Sequence, residues 1–233
     1  RSADNLNTFK STVKAIAARN GLFASFMPKP LADQPGSGLH VNISLLREGK
    51  NLFEGDLIPD SEAGHFVAGI LAHARELTAF CNPVPNSYAR LGANEAPLYV
   101  SWSRQNRSQL VRLPSASGEL CRVELRGPDP AGNPYLVIGL ILAAGLDGIQ
   151  RELPLPEAVN RNLFLPSAAA GLECLPRTLR EAITVAAQSE FISRELPIAL
   201  QNKYFQYQTL LCHGFESAPD PEAWDRANGF LII

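Results

Sequence analysis

The stretch from Tyr135 to Leu146 contains no charged residue, and this run limits most strongly what the chain can become. It falls well short of the ~20 apolar residues that cross a bilayer, so it must be hidden within protein. Upstream, Pro128, Pro130 and Pro134 make a stiff loop, and Asn133-Pro134 reads as an N-cap followed by the proline favoured at the first helical position. The pattern predicts a helix buried on every side, at the centre of the core.

Strand patterns surround it. From Leu39 to Leu45 the chain alternates, with Leu39, Val41, Ile43 and Leu45 on one face and His40, Asn42 and Ser44 on the other. Between Leu120 and Arg126, Val123 and Leu125 oppose Arg122, Glu124 and Arg126 in the same way. Leu22–Phe26, Leu98–Trp102 and Gln109–Leu113 read as further strands. From Glu62 to Phe80, the spacing of Phe66, Val67, Ile70, Leu71, Ala74 and Leu77 predicts one amphipathic helix, stopped by Pro83. An opening helix carries Leu6, Phe9, Val13, Ile16 and Ala17 and ends at Gly21, and the opening in mid-pattern suggests that a longer chain precedes Arg1. Beyond Pro176, two or three helices separated by Pro197 precede a Pro- and Trp-containing tail over 219–224. No repeat, low-complexity tract or long linker divides the 233 residues, so one domain is expected.

Charge is balanced overall and uneven locally. Lys and Arg number 21 against 23 Asp and Glu, a net charge of −2, which gives no basic field for nucleic acid. Yet Arg90, Arg104, Arg107, Arg112, Arg122 and Arg126 fall between Asn86 and Arg126, with only Glu95, Glu119 and Glu124 as acids. Cys81, Cys121, Cys174 and Cys212 are too scattered for a zinc motif or a disulfide framework, which points to a reducing, cytoplasmic setting. Neither a signal peptide nor a membrane span is present in the pattern.

Guanidinium groups on a strand face that also holds a carboxylate need anionic partners, because desolvating unpaired cations is expensive. Fixed arginines suit phosphoryl oxygens and also clamp carboxylates. The alternative is an Arg–Glu ladder on an exposed sheet, each pair worth about 0–1 kcal/mol. His40 could offer a neutral imidazole to a divalent metal with Glu124 as the companion carboxylate, or be a hydrogen-bonded structural histidine. Arg107 and Arg112 are five apart and cannot share a face on an unbroken strand, so Arg107 belongs to the turn before it or a bulge intervenes. No phosphate-binding Gly-rich loop before a helix, nucleophile elbow or zinc-protease motif occurs.

A series of short motifs does occur in order: Phe26-Met27-Pro28-Lys29-Pro30, Gly36-Ser37-Gly38-Leu39-His40, Asn82-Pro83, Asn86-Ser87-Tyr88 with Arg90-Leu91, Glu95-Ala96-Pro97, Asn106-Arg107-Ser108, Arg122-Val123-Glu124-Leu125-Arg126, and Pro128-Asp129-Pro130 with Asn133-Pro134-Tyr135. In this order and spacing the chain resembles the glutamine synthetase family. Val100-Ser101-Trp102-Ser103 before Gln105-Asn106-Arg107-Ser108 is most similar to the bacterial type I enzymes.

The resemblance implies an α+β catalytic domain over residues 1–233, a curved antiparallel sheet forming a half-barrel with helices packed outside. It implies that the family's N-terminal β-grasp domain and part of the metal site lie before Arg1, so that the fragment alone is inactive. The implied reaction is ATP-dependent ligation of ammonia to the side-chain carboxylate of glutamate through a γ-glutamyl phosphate, in a homo-oligomer that is a dodecamer in the full-length family. By matching position, His40 and Glu124 would bind Mg²⁺ or Mn²⁺. Arg107 and Arg112 would hold the transferring phosphoryl group, and Arg122 and Ser44 would lie on the nucleotide side. Gly36, Arg90 and Arg126 would receive glutamate, and Glu95, on a closing flap, would deprotonate ammonium.

The chain departs from the family pattern in four places. Pro35 replaces an asparagine beside the glutamate pocket, Asn42 stands where many relatives have histidine, and the flap Leu91-Gly92-Ala93-Asn94-Glu95 is one residue short. Phe164 occupies the neighbourhood of a modifiable tyrosine, so adenylylation is not expected. Two other readings stand beside the first: a γ-glutamyl ligase with a different amine, and a non-catalytic homologue.

Overall fold

The uncharged segment folds as expected but is covered on one side. The computed structural model describes residues 1–55 and 57–232. Asn133 Oδ1 accepts from Tyr135 N at 3.0 Å and Leu136 N at 3.4 Å, starting a helix over Pro134–Gln150. Its inward residues Val137, Leu140, Ile141 and Ala144 are buried, whereas Tyr135 (52%), Leu142 (38%) and Leu146 (58%) are exposed. The expectation of burial on every side is thus corrected: neighbouring helices cover a single stripe, and apolar residues beyond it stay at the surface.

In chain order the helices are α1 (Ser2–Arg19), α2 (Glu62–Ala72), α3 (Ala74–Cys81), α4 (Pro85–Arg90), α5 (Pro134–Gln150), α6 (Leu179–Ala187), α7 (Glu190–Glu195), α8 (Ile198–Glu216) and α9 (Pro221–Ile232). The principal helix contact is α2 on α5, and glycines make it close: a Cβ on Gly69 would sit 2.2 Å from Ala144 O, and one on Gly148 2.1 Å from His65 O. The single helix expected from Glu62 to Phe80 is two, α2 and α3, broken at His73 (φ −97°, ψ 3°). The His73 ring lies between the carboxylates of Glu76 and Asp147 and stacks on Phe191 at 3.9 Å, a set of contacts that hydrophobic spacing does not encode.

The strands are β1 (Val41–Ile43), a small hairpin of β2 (Leu46–Arg47) and β3 (Lys50–Asn51), β4 (Trp102–Arg104), β5 (Val111–Leu113) and β6 (Val123–Leu125). Four of them form one sheet in the order β1-β6-β5-β4. The pairs β1·β6 and β6·β5 are antiparallel as expected, while β5·β4 is parallel, so the sheet is mixed. No closed barrel forms among the described residues. Val111, Val123 and Leu125 join Phe66, Ile70, Leu77 and Phe80 in a common core, which leaves the polar face of the sheet turned away from the helices.

Two expected strands differ. Residues 22–26 form none, and Leu22 (68%) and Phe23 (64%) are exposed. Around residue 98 the backbone makes only an isolated bridge, Tyr99 to Cys174, and the strand proper starts at Trp102. Beyond Pro176 the described residues form four helices where two or three were expected; Ser189 caps α7 separately, accepting from Ile192 N at 3.0 Å.

Candidate active site

Register assembles the polar face. Asn42 pairs with Glu124 across β1·β6, and Arg112 pairs with Glu124 across β5·β6, so the three side chains form one row. Arg112 Nε donates to Glu124 Oε2 at 2.6 Å and Arg126 Nη1 donates to the same oxygen at 3.3 Å. The other oxygen, Oε1, lies 3.4 Å from His40 Nδ1. Burial would push the Glu124 carboxyl up, but the Arg112 hydrogen bond and the charges of Arg112 and Arg126 outweigh it and hold it below its ordinary value. His40 is pushed down, chiefly by burial and then by the Arg126 charge, so its imidazole is neutral at neutral pH.

Beside this row opens a cleft of about 640 Å³, lined by Gly36, Gly38, His40, Arg90, Glu95 and Arg126, with Pro35 also on its wall. Arg90 projects from α4 and is 4% exposed; its Nη1 donates to Gly127 O at 2.8 Å and its Nη2 to Arg126 O at 3.2 Å. Arg126 is equally buried, donates through Nη2 to Glu95 O at 3.3 Å, and has an Nε with no hydrogen-bond partner. Such an unpaired buried donor is costly unless a ligand uses the site. The glycines are spacers: a Cβ on Gly38 would lie 2.6 Å from Arg90 Nη2 and 3.0 Å from His40 Nε2, and one on Gly36 would lie 2.4 Å from Pro28 O.

Behind Arg90 sits Asp129, fully buried, accepting from Asn82 Nδ2 at 2.8 Å and Ala131 N at 3.0 Å. Burial raises its carboxyl, and the bonds from Asn82 and Ser87 and the nearby Arg90 charge oppose that shift. This carboxylate balances the buried guanidinium and was not singled out from the sequence, although Asn82-Pro83 and Pro128-Asp129-Pro130 both stood among the motifs.

Arg122, Ser44 and Arg107 do not line the cleft. Arg122 Nε donates to Asn42 Oδ1 at 2.9 Å, next along the same face. Ser44 Oγ donates to Cys121 O at 2.8 Å, a bond between β1 and the approach to β6. Arg107 is exposed in the turn between β4 and β5, which resolves its spacing from Arg112 in favour of a turn. That link joins parallel neighbours far more tightly than the usual crossover of about a dozen residues. It is pinned to the segment near Arg161: Asn106 Nδ2 and Gln109 Nε2 donate to Arg161 O at 2.9 and 3.0 Å, and Ser108 Oγ accepts from Leu163 N at 3.0 Å. The Asn106 and Ser108 side chains thus fix where Arg107 stands. Glu95 has an exposed carboxylate on a turn that runs through Gly92 (φ +78°) and Asn94 (φ +51°).

Among the described residues no group of three or more His, Cys, Asp or Glu side chains converges as a metal cage. A neutral His40 and an ionised Glu124 with one oxygen facing it are chemically suited to supply two donors to a divalent cation, which needs more from elsewhere. No helix among the described residues is long and apolar enough to cross a membrane.

A mixed sheet whose polar face carries an imidazole, a carboxylate and several guanidinium groups beside a glycine-lined cleft defines an α+β domain with a charged, partly buried site. The family model for the glutamine synthetase catalytic domain matches residues 1–227, and the chain belongs to that family. It is 43% identical over 217 residues to a glutamine synthetase of Staphylococcus epidermidis, covering 90% of this chain and 49% of that protein. It is 47% identical over 203 residues to one of Methanosarcina mazei, covering 84% and 45%. The chain therefore spans about half the length of the curated relatives it matches. Among solved structures, GmaS in complex with ADP superposes with a TM-score of 0.84 at 35% identity, over 97% of this chain and 53% of that one. GmaS without ligand gives 0.83 at 36% identity.

Proposed function

We propose that the protein containing this chain makes glutamine from glutamate and ammonia with ATP, through a γ-glutamyl phosphate. The observation that carries the reading is the Glu124 carboxylate shared by Arg112 and Arg126 and facing a neutral His40, at the edge of a cleft with an unpaired Arg126 Nε. Arg90 and Arg126 hold glutamate by its carboxylates, and Gly36 and Gly38 keep the floor bare so that substrate reaches them. A glutamate side-chain oxygen attacks the γ-phosphorus of ATP, and the bond to the leaving ADP oxygen breaks. Arg107 and Arg112 balance charge on the phosphoryl oxygens as they spread apart. Arg122 and Ser44 stand on the nucleotide side. Glu95 takes a proton from ammonium, and ammonia displaces phosphate from the acyl carbon.

His40 and Glu124 fit as part of the binding set for Mg²⁺ or Mn²⁺, which when bound would neutralise phosphate charge. In this reading residues 1–233 are the catalytic domain, the further metal-binding glutamates and the β-grasp domain come from the remainder of a longer chain, and the active protein is a cytoplasmic homo-oligomer.

Pro35 on the cleft wall favours a second reading, a γ-glutamyl ligase with another amine, because a rigid ring replaces a hydrogen-bonding amide on the acceptor side. The test is phosphate release by the full-length protein with ATP, Mg²⁺ and glutamate, first with ammonia and then with small amines. Release with ammonia supports the main reading, release with amines alone supports the second, and no release with any acceptor sinks both.

A further inference from the structure

Away from the cleft, and sharing no lining residue with it, α8 and α9 enclose a second cavity of about 210 Å³. Asp225, on α9, lines it and is only 8% exposed. Among the described residues no Lys, Arg or His lies within ion-pair distance of its carboxylate, and the Asn86 amide is its one hydrogen-bonding side chain; burial pushes the carboxyl up to about 6. Gln208, on α8, lines the same space, is 3% exposed, and has an Oε1 without a partner. Two acceptors without adequate donors therefore border one void.

Three aromatic side chains, Tyr204, Tyr207 and Trp224, share the wall with aliphatic residues such as Pro83, Val84 and Leu211. Trp224 is held by construction, since a Cβ on Gly214 would lie 2.8 Å from its Cζ2, and its ring meets Phe215 edge-on at 6.1 Å. Lys10 also touches the wall, but its ammonium donates to Pro130 O at 2.7 Å and lies 5.2 Å over the Phe26 ring. A void of ~150 Å³ takes one benzene ring, so this one takes a ring with a short chain.

We propose that this cavity binds a small arylalkyl ammonium ion, its N–H groups meeting Asp225 and Gln208 and its ring lying against Tyr204, Tyr207 and Trp224. The cation supplies the charge that Asp225 lacks, and aromatic faces attract it further. Binding here needs neither ATP nor glutamate, so its failure is distinct from failure of the ligase reading.

The test uses the full-length protein labelled with 5-fluorotryptophan, with the ¹⁹F resonances of Trp224 and Trp102 assigned by Trp224→Phe and Trp102→Phe. Phenethylamine is expected to shift the Trp224 resonance saturably and leave that of Trp102 in place. Phenethyl alcohol, its neutral analogue, is expected to bind at least about tenfold more weakly, a difference of ~1.4 kcal/mol. Asp225→Asn is expected to abolish that preference with the Trp102 resonance unmoved, and Gln208→Leu to weaken the amine more than the alcohol. Equal affinity for amine and alcohol, a preference that survives both substitutions, or no saturable shift would overturn the proposal.

Discussion

Arg112 Nε donates to Glu124 Oε2 at 2.6 Å directly across the β5–β6 pair. The same oxygen serves Arg126, and the carboxylate thereby keeps two guanidinium groups from repelling each other in a site where Glu124 and Arg126 are 7% and 4% exposed. Its second oxygen is left toward His40. The row is a structural tie that leaves one carboxylate oxygen facing an imidazole.

Glu124→Gln removes the anion and retains the shape. Because both arginines then lose a charged partner, stability should fall by about 2 kcal/mol. Mn²⁺ affinity should fall at least about tenfold, as expected when a ligand in a hydrogen-bonded set is changed. Urea unfolding and titration calorimetry read the two effects separately. The carboxyl of Glu124 lies below its ordinary value when folded, so the pair's contribution is complete above that ordinary value and lost as pH falls through the folded one. The glutamine variant should lack this acid limb.

Arg107→Lys should lower turnover of the full-length enzyme by at least about tenfold while changing nucleotide affinity much less, since a point charge cannot give the planar two-pronged contact of a guanidinium. Arg107 is exposed, so its urea midpoint should stay within about 0.5 kcal/mol of the parent. An equal loss of turnover and affinity would remove Arg107 from the phosphoryl-holding role.

His73 predicts an alkaline limb. Burial alone would lower its pKa, but the bonds to Glu76 and Asp147 raise it above the ordinary 6.5. A histidine raised on folding stabilises fully below 6.5 and loses that contribution as pH climbs through the folded value. His40 has the opposite sign, since its folded pKa is lowered, and it weakens the fold only as pH drops below 6.5. Urea midpoints measured upward from pH 6.5 should therefore decline, and His73→Gln should flatten that decline. A decline of equal size in the variant would assign it to other groups.

What could be read from the sequence follows from period and from motif. Alternation over Leu39–Leu45 and Arg122–Arg126 separates the residues on the core side of the sheet from those on its polar face, because each face repeats every second residue. It could not reveal that β4 and β5 run parallel, since a strand's periodicity carries no direction. Asp129 was invisible as a charge near Arg90 because tertiary packing around a proline loop, not sequence spacing, brings them near each other. The break at His73 was missed for the same reason: Asp147, one of its two partners, lies on another helix. Motif order, by contrast, brought Gly36, Arg90 and Arg126 to one cleft without any geometric argument.

The α2–α5 contact gives the sharpest packing contrast. A methyl group on Gly69 would stand 2.2 Å from Ala144 O and 2.7 Å from Gly148 N, both backbone atoms that cannot swing aside. Gly69→Ala should therefore force the helices apart and destabilise by at least about 2 kcal/mol, more than the helix propensity gained. Gly139, on the same α5 and exposed, has nothing within 4 Å of its ideal Cβ, so Gly139→Ala should stabilise by about 0.5–1 kcal/mol through propensity alone. Urea unfolding of the two variants should move in opposite directions. If Gly69→Ala were neutral, the close helix crossing would not be what holds the core against the sheet.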